Sequence, residues 1–191
     1  GGRTYYSDII DGNGSITQSF TFKNAKTNRP CKINLAMAGR NVSPASFQLY
    51  LNGQMLKSFS IPTTSLSSDK TFAHEVFGNA AGSMTGDEVK VTLIHVGVSG
   101  TTSIGYVDYI EVNAWRSLSF TGPEMLFRNP EASAAAKVYS YRLSGASTSV
   151  QVWNVTDSIC PKRINGQLSG SVFSFKVYGN EKNEFVAFDG S

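Results

Sequence analysis

Two cysteines and two histidines are the residues of this sequence with the strongest latent chemistry: Cys31, Cys160, His74 and His95. A cysteine nucleophile needs a base within hydrogen-bond reach and a setting that stabilises the thiolate. Neither thiol has such a context. Cys31 lies in Arg29-Pro30-Cys31-Lys32, where a strand begins, and Cys160 in Ile159-Cys160-Pro161, a loop. Neither precedes a helix N-terminus that would lower its pKa. His74, in Phe72-Ala73-His74-Glu75-Val76, and His95, in Ile94-His95-Val96, are strand-like, and metal binding would require a third ligand with supporting hydrogen bonds. The sequence therefore predicts no catalytic residue, no metal ligand and no cofactor. Two cysteines make no disulfide framework; a single Cys31–Cys160 bridge and two reduced, partly buried thiols both remain open.

Other chemistry is weaker. Asp8, Asp11, Asp69, Asp87 and Glu88 sit near expected turns, where short carboxylates satisfy local backbone donors. They match no calcium-loop signature. Aromatics are numerous: Tyr6, Tyr50, Tyr106, Tyr109, Trp115, Tyr139 and Tyr141, with Tyr5 near the start. Most are expected in the packed interior or along sheet edges, since aromatics favour strands. Exposed ones could stack on sugar rings, and Tyr106, Tyr109 and Trp115 are the candidate glycan or partner contacts. Asn13-Gly14-Ser15, Asn41-Val42-Ser43 and Asn154-Val155-Thr156 fit the N-glycosylation pattern, a match common by chance.

These residues must be held by strands. Hydrophobic residues make up 40% of the 191, enough for a real core, while charged residues are only 16%. The net charge of +3 comes from scattered Lys and Arg, with no basic run to displace counterions from a phosphate backbone, so nucleic acid is excluded as a partner. No apolar run approaches the ~20 residues that cross a bilayer as a helix. The chain begins Gly1-Gly2-Arg3 and stops directly after a strand-like run at Phe188-Asp189-Gly190-Ser191, which reads as a piece excised from a longer protein, with a tag scar at its head.

Period-two alternation runs through the chain. It marks strands at Ile16–Phe22, Ile33–Met37, Val89–Leu93 and Ile104–Trp115, the last with Ile110 and Val112 on one face and Tyr109 and Glu111 on the other. Phe47, Leu49 and Leu51 alternate up to Asn52-Gly53, followed by Met55, Phe59 and Ile61, a hairpin with a type I′ turn. Further strands are expected at 138–143, 150–155, 172–178 and 185–188, with Val150, Val152, Trp153 and Val155 apolar on both faces. Asn129-Pro130 could cap a one- or two-turn surface helix over 129–137, or the segment is a loop. The expected fold is all-β: a jelly-roll-like antiparallel sandwich over 1–118, and a smaller β-rich region over 119–191. That smaller region is either a separate domain or part of one continuous sandwich.

Three segments carry a family resemblance. Gly105-Tyr106-Val107-Asp108-Tyr109-Ile110-Glu111-Val112-Asn113, followed by Arg116-Ser117-Leu118, resembles a segment upstream of the catalytic domain in the PorU-type sortases of type IX secretion, gingipain-like cysteine peptidases of Bacteroidetes. Val152-Trp153-Asn154-Val155-Thr156-Asp157, then Pro161, resembles that family's Val-Trp-Asp-Val-Thr-Asp-Pro stretch, and Glu184-Phe185-Val186-Ala187-Phe188-Asp189 resembles the run before its protease domain. The sequence departs in having Asn154 for Asp and Ser158 where Pro often follows. The resemblance implies a non-catalytic N-terminal region of an extracytoplasmic, outer-membrane-associated enzyme, with the catalytic Cys and His beyond Ser191. Its implied partners are the downstream peptidase domain, secreted cargo and outer-membrane secretion components. Asp157-Ser158-Ile159 fits a short bacterial O-glycosylation pattern, making Ser158 a candidate modification site.

Overall fold

Alternating sequences with Gly, Asn and Ser turns bury one face of each strand, and the computed structural model shows how those faces meet. It describes residues 6–67, 71–132, 137–179 and 183–190. The chain divides into two compact units, Gly1–Ser117 and Leu118–Ser191. No helix occurs among the described residues. Asn129 does cap a turn, its Oδ1 accepting from the amide of Glu131 at 3.0 Å, while 133–136 of the expected helical segment lie outside the described residues.

The first unit has eight strands: β1 (Asp8–Asp11), β2 (Ser15–Thr21), β3 (Cys31–Asn41), β4 (Ala45–Leu51), β5 (Gln54–Ile61), β6 (His74–Gly82), β7 (Glu88–Val96) and β8 (Ser103–Asn113). They form two four-stranded antiparallel sheets, ordered β1-β8-β3-β6 and β2-β7-β4-β5. One apolar core joins their facing sides, with Ile33, Leu35, Met37 and Val107 from the first sheet and Phe47, Leu49, Val89, Val91 and Leu93 from the second. This is the expected sandwich.

The Asn52-Gly53 hairpin forms between β4 and β5, with φ of 49° at Asn52 and 83° at Gly53, the left-handed pair a type I′ turn requires. Asn52 also ties the turn to β7: its Oδ1 accepts from the Lys90 amide at 2.8 Å, and its own amide donates to the Lys90 carbonyl at 2.8 Å. Met55 does not share the inward face of Phe59 and Ile61. Leu49 pairs with Lys57 but Tyr50 with Met55, so Leu56 is an extra residue, a bulge that reverses the strand's facing. Leu56 packs against the core and Met55 is 46% exposed.

A second bulge lies in β8. Ala36 pairs with Tyr109 and Met37 with Val107, leaving Asp108 without a partner on β3. Asp8 and Asp11 are the two ends of β1, paired with Val107 and Ile104, and Asp11 adjoins a turn as expected, its carbonyl accepting from the Gly14 amide at 3.2 Å.

The second unit contains β9 (Glu124–Arg128), β10 (Val138–Ser144), β11 (Val150–Asn154), β12 (Lys162–Arg163), β13 (Gln167–Ser169), β14 (Val172–Tyr178) and β15 (Glu184–Asp189). They make a three-stranded sheet, β10-β14-β13, and a four-stranded one, β12-β11-β15-β9. A small unit has little interior to bury; here large rings fill it. Tyr141 stacks on Phe175 with centroids 5.0 Å apart, Phe127 on Phe185 at 5.4 Å, and Phe175 meets Phe185 edge-on at 5.4 Å.

Candidate functional site

The four residues with latent chemistry are held in structural positions. Cys31 is buried, its thiol donating to the Gly82 carbonyl at 3.4 Å, and burial pushes its pKa up, away from the reactive thiolate. Cys160 is exposed rather than partly buried, and both thiols are free. His95 is fully buried at the edge of the Phe47 ring, with Nδ1 against the Gly12 carbonyl, and His74 is half-buried at the start of β6. Among the described residues, no three His, Cys, Asp or Glu side chains gather closely enough to hold a metal ion.

Asp87 does satisfy backbone donors, but those of a distant loop: its carboxylate accepts from the amides of Asn24 at 3.2 Å and Ala25 at 2.9 Å. Asp69 and Tyr5 lie outside the described residues. Of the glycosylation matches, Asn41 is completely buried, with Ser103 Oγ donating to its Oδ1 at 2.8 Å, so no sugar could be attached there. Asn13 accepts from the Gly97 amide at 2.7 Å.

The Tyr106 and Tyr109 side chains share a face because of the Asp108 bulge. In a regular strand, residues three apart point to opposite sides. The extra residue restores both tyrosines to the outer face of the β1-β8-β3-β6 sheet, while Val107 and Ile110 stay with the core. Gly105 of the same segment is dictated by packing: a Cβ there would lie 2.8 Å from the Phe47 ring and 3.0 Å from His95.

Pairing register lays out that face in rows. Tyr106, Ala38 and Glu75 form one row and Tyr109, Ala36 and Phe77 the next, followed by Glu111, Asn34 and Asn79. The middle strand contributes Ala36 and Ala38, only 3% and 0% exposed between the larger side chains that stand on either side. Phe77 is 70% exposed and Tyr109 46%, on strands two apart, hence roughly 10 Å from each other. At one end Tyr6 and Phe72 adjoin Tyr106, with centroids 5.5 and 6.5 Å away, and Arg40 lies over the Phe72 ring at 4.2 Å. Burial together with the Glu75 and Asp108 carboxylates raises the Tyr6 pKa, so the phenol stays neutral. At the other end Glu111 is fixed by Asn34 and Asn113, each donating at 2.9 Å.

Beyond the Asn34–Asn79 row, a groove of about 540 Å³ is lined by Lys32, Asn34, Leu56, Lys57, Asn79, Ala80 and Ala81. Lys57 reaches from β5 to the edge strand β6 and donates to the Asn79 carbonyl at 3.2 Å. Trp115 does not join this face. It follows the end of β8, and the Arg29 guanidinium covers its ring at 3.7 Å. Phe77 and Phe72 were missed as candidates, although strand alternation around His74 already placed Phe77 opposite Val76.

In the second unit, the segment around Asn154 is a closed turn. Asn154 Oδ1 accepts from the amide and hydroxyl of Thr156 at 3.0 and 2.6 Å, and Thr156 Oγ1 accepts from the Glu184 amide at 2.9 Å. The amide nitrogen of Asn154 donates to Asn183 at 2.8 Å, a bond an Asp carboxylate could not make. Ser158 is exposed, beside an Asp157 carboxylate that accepts from the amides of Ile159 and Cys160 at 3.0 and 3.3 Å.

No protein-family model matches the chain, and no curated protein matches it significantly. Among solved structures, it is similar to dimeric latent PorU from Porphyromonas gingivalis, with 16% identity and a TM-score of 0.76 over 96% of this chain and 18% of that one. It is also matched to a carbohydrate-binding module, CBM36 in complex with calcium and xylotriose, at 19% identity over 55% of this chain and 78% of that one, but the TM-score of 0.37 carries no argument. The chain thus spans less than a fifth of the PorU structure, and at 16% identity the likeness is one of fold: a β-region of the PorU type.

Proposed function

We propose that this chain is a non-catalytic β-module of a cell-surface, gingipain-like cysteine peptidase of the PorU type, one that processes C-terminal sorting signals on type IX secretion cargo. The observation carrying this reading is the PorU match over 96% of the chain, which takes in both units. The buried, protonated Cys31 supports a structural rather than a catalytic part. In this reading the module holds or orients secreted cargo, or outer-membrane secretion components, for a peptidase domain further along the same polypeptide. The test compares the purified chain with the product of the full coding sequence that contains it. Peptidase activity is expected only in the longer protein, with a Cys and His outside this chain essential to it. A longer product with no peptidase domain, or hydrolysis by this chain alone, would overturn the reading.

A second reading is carried by the outer face of the β1-β8-β3-β6 sheet. The exposed Phe77 and Tyr109 side chains are suited to stacking on sugar rings, which makes carbohydrate binding the alternative role.

A further inference from the structure

We infer that the outer face of the β1-β8-β3-β6 sheet is a docking surface for a polypeptide segment both basic and apolar, whose Lys or Arg side chains settle among Tyr6, Tyr106 and Phe72, beside Glu75 and Asp108. This inference rests on the reading above in which the module holds secreted cargo, and it specifies what such a cargo segment presents.

Exposure and relief point to a polypeptide. Ile9 on β1, Phe72 just before β6, Phe77 on β6 and Tyr109 on β8 are 67%, 60%, 70% and 46% exposed. Register places Ile9 directly beside Tyr106, with Tyr109 in the next row of the same face. Large apolar side chains gathered on one face, rather than scattered singly, mark a place where another macromolecule is bound. Sites for small molecules are concave. This face is not: Ala36 and Ala38 are closed off between their larger neighbours, so the relief is broad and shallow and suits a chain laid across it.

Charge selects the sign of that chain. Three carboxylates accompany the aromatic end of the face: Asp11 in the row of Ile104 and Arg40, Glu75 in the row of Tyr106, and Asp108 at the bulge. Glu75 and Asp108 lie near enough to Tyr6 to help burial raise its pKa, so both direct their field onto the ring cluster. No Lys or Arg among the described residues bridges either of them. Arg40 is instead laid over the Phe72 ring at 4.2 Å, which shows in the protein's own side chains how a cation is received here. An incoming ammonium or guanidinium over Tyr6 or Tyr106 gains a ring face and two unbridged carboxylates together, whereas an acidic segment is repelled. Apolar side chains on either side of that cation then meet Ile9, one strand away, and Tyr109, one row along.

The test titrates the intact chain, by calorimetry at 50 and 500 mM salt, with a decapeptide alternating Lys and Val, its counterpart alternating Glu and Val, decalysine and neutral xylohexaose. The Lys-Val peptide is expected to bind at least tenfold tighter than the other three, and to weaken at high salt without being lost, because salt screens its charges but not its apolar contacts. Glu75→Gln with Asp108→Asn should abolish the preference for Lys over Glu. Ile9→Ala and Phe72→Ala should each weaken Lys-Val binding about tenfold, as truncation of an interface anchor does. Ile9 and Phe72 are exposed, the two amides keep the shape of the acids they replace, and unchanged circular dichroism verifies that the variants fold. Decalysine binding as tightly as the Lys-Val peptide overturns the inference in favour of plain charge attraction, and equal binding of the Glu-Val peptide overturns it in favour of unselective apolar contact. Binding of xylohexaose but of no peptide overturns it in favour of the carbohydrate reading, and a chain dimer that Phe72→Ala dissociates does so in favour of self-association. Each of these failures leaves the peptidase-module reading to the activity of the longer protein, which is measured separately.

Discussion

Cys31 shows how burial decides what a residue can do. In the sequence its thiol is a potential nucleophile; in the first unit it is a small apolar group with a weak hydrogen bond to Gly82. Because burial raises its folded-state pKa, the fold requires the neutral thiol. The stability this gives is complete below the unfolded-chain value and declines as pH rises from about 8.5 toward the folded-state value. Urea unfolding between pH 7 and 10.5 should therefore show stability falling at the alkaline end. Cys31→Ala should have a visibly shallower decline than the parent; equal slopes would mean that the thiol does not titrate with unfolding. The character of Cys31 was partly legible, since no base or helix terminus accompanied it in sequence. Its complete burial, and the exposure of Cys160, depend on contacts with residues far along the chain.

Among the elements, strands with steady alternation were readable from sequence: β2, β3, β4, β7 and β14 fall where the pattern put them. The hairpin was equally plain, because Asn-Gly declares its own φ angles. What sequence could not show was the bulges, since an extra residue is defined only against a partner strand. Leu56 replaced Met55 in the core for that reason, and Asp108 brought Tyr106 and Tyr109 to one face. β9 was missed because Glu124–Arg128 is a five-residue strand, too short for its alternation to stand out. Deletion of Asp108 offers a direct check on the second bulge. It would leave Val107 and Tyr109 consecutive opposite Met37 and Ala36, so the strand becomes regular and every side chain keeps its facing. A loss under about 1 kcal/mol in denaturant unfolding is therefore expected, as for a surface substitution, and a loss of several kcal/mol would mean that the strand slips register instead of closing the bulge.

At the scale of the whole molecule, the two units solve the core problem differently. The first spreads aliphatic residues across two broad sheets, and the second concentrates rings around Phe175 and Phe185. Phe185→Ala should cost about 3–5 kcal/mol, read as an earlier loss of near-ultraviolet aromatic dichroism on heating. A loss below about 1 kcal/mol would mean that the ring cluster repacks and is not the keystone of that unit. The four sheets are all open, so each ends in two edge strands with unpaired backbone groups, and such edges invite pairing with other chains. On β6, one of the longest edges, the Lys57 ammonium occupies the Asn79 carbonyl. An incoming strand would have to displace a charge to dock there. The lysine that lines the groove thus acts as a colloidal safeguard, and chemistry that neutralises it, such as acetylation, would make the protein more prone to aggregate as its concentration rises.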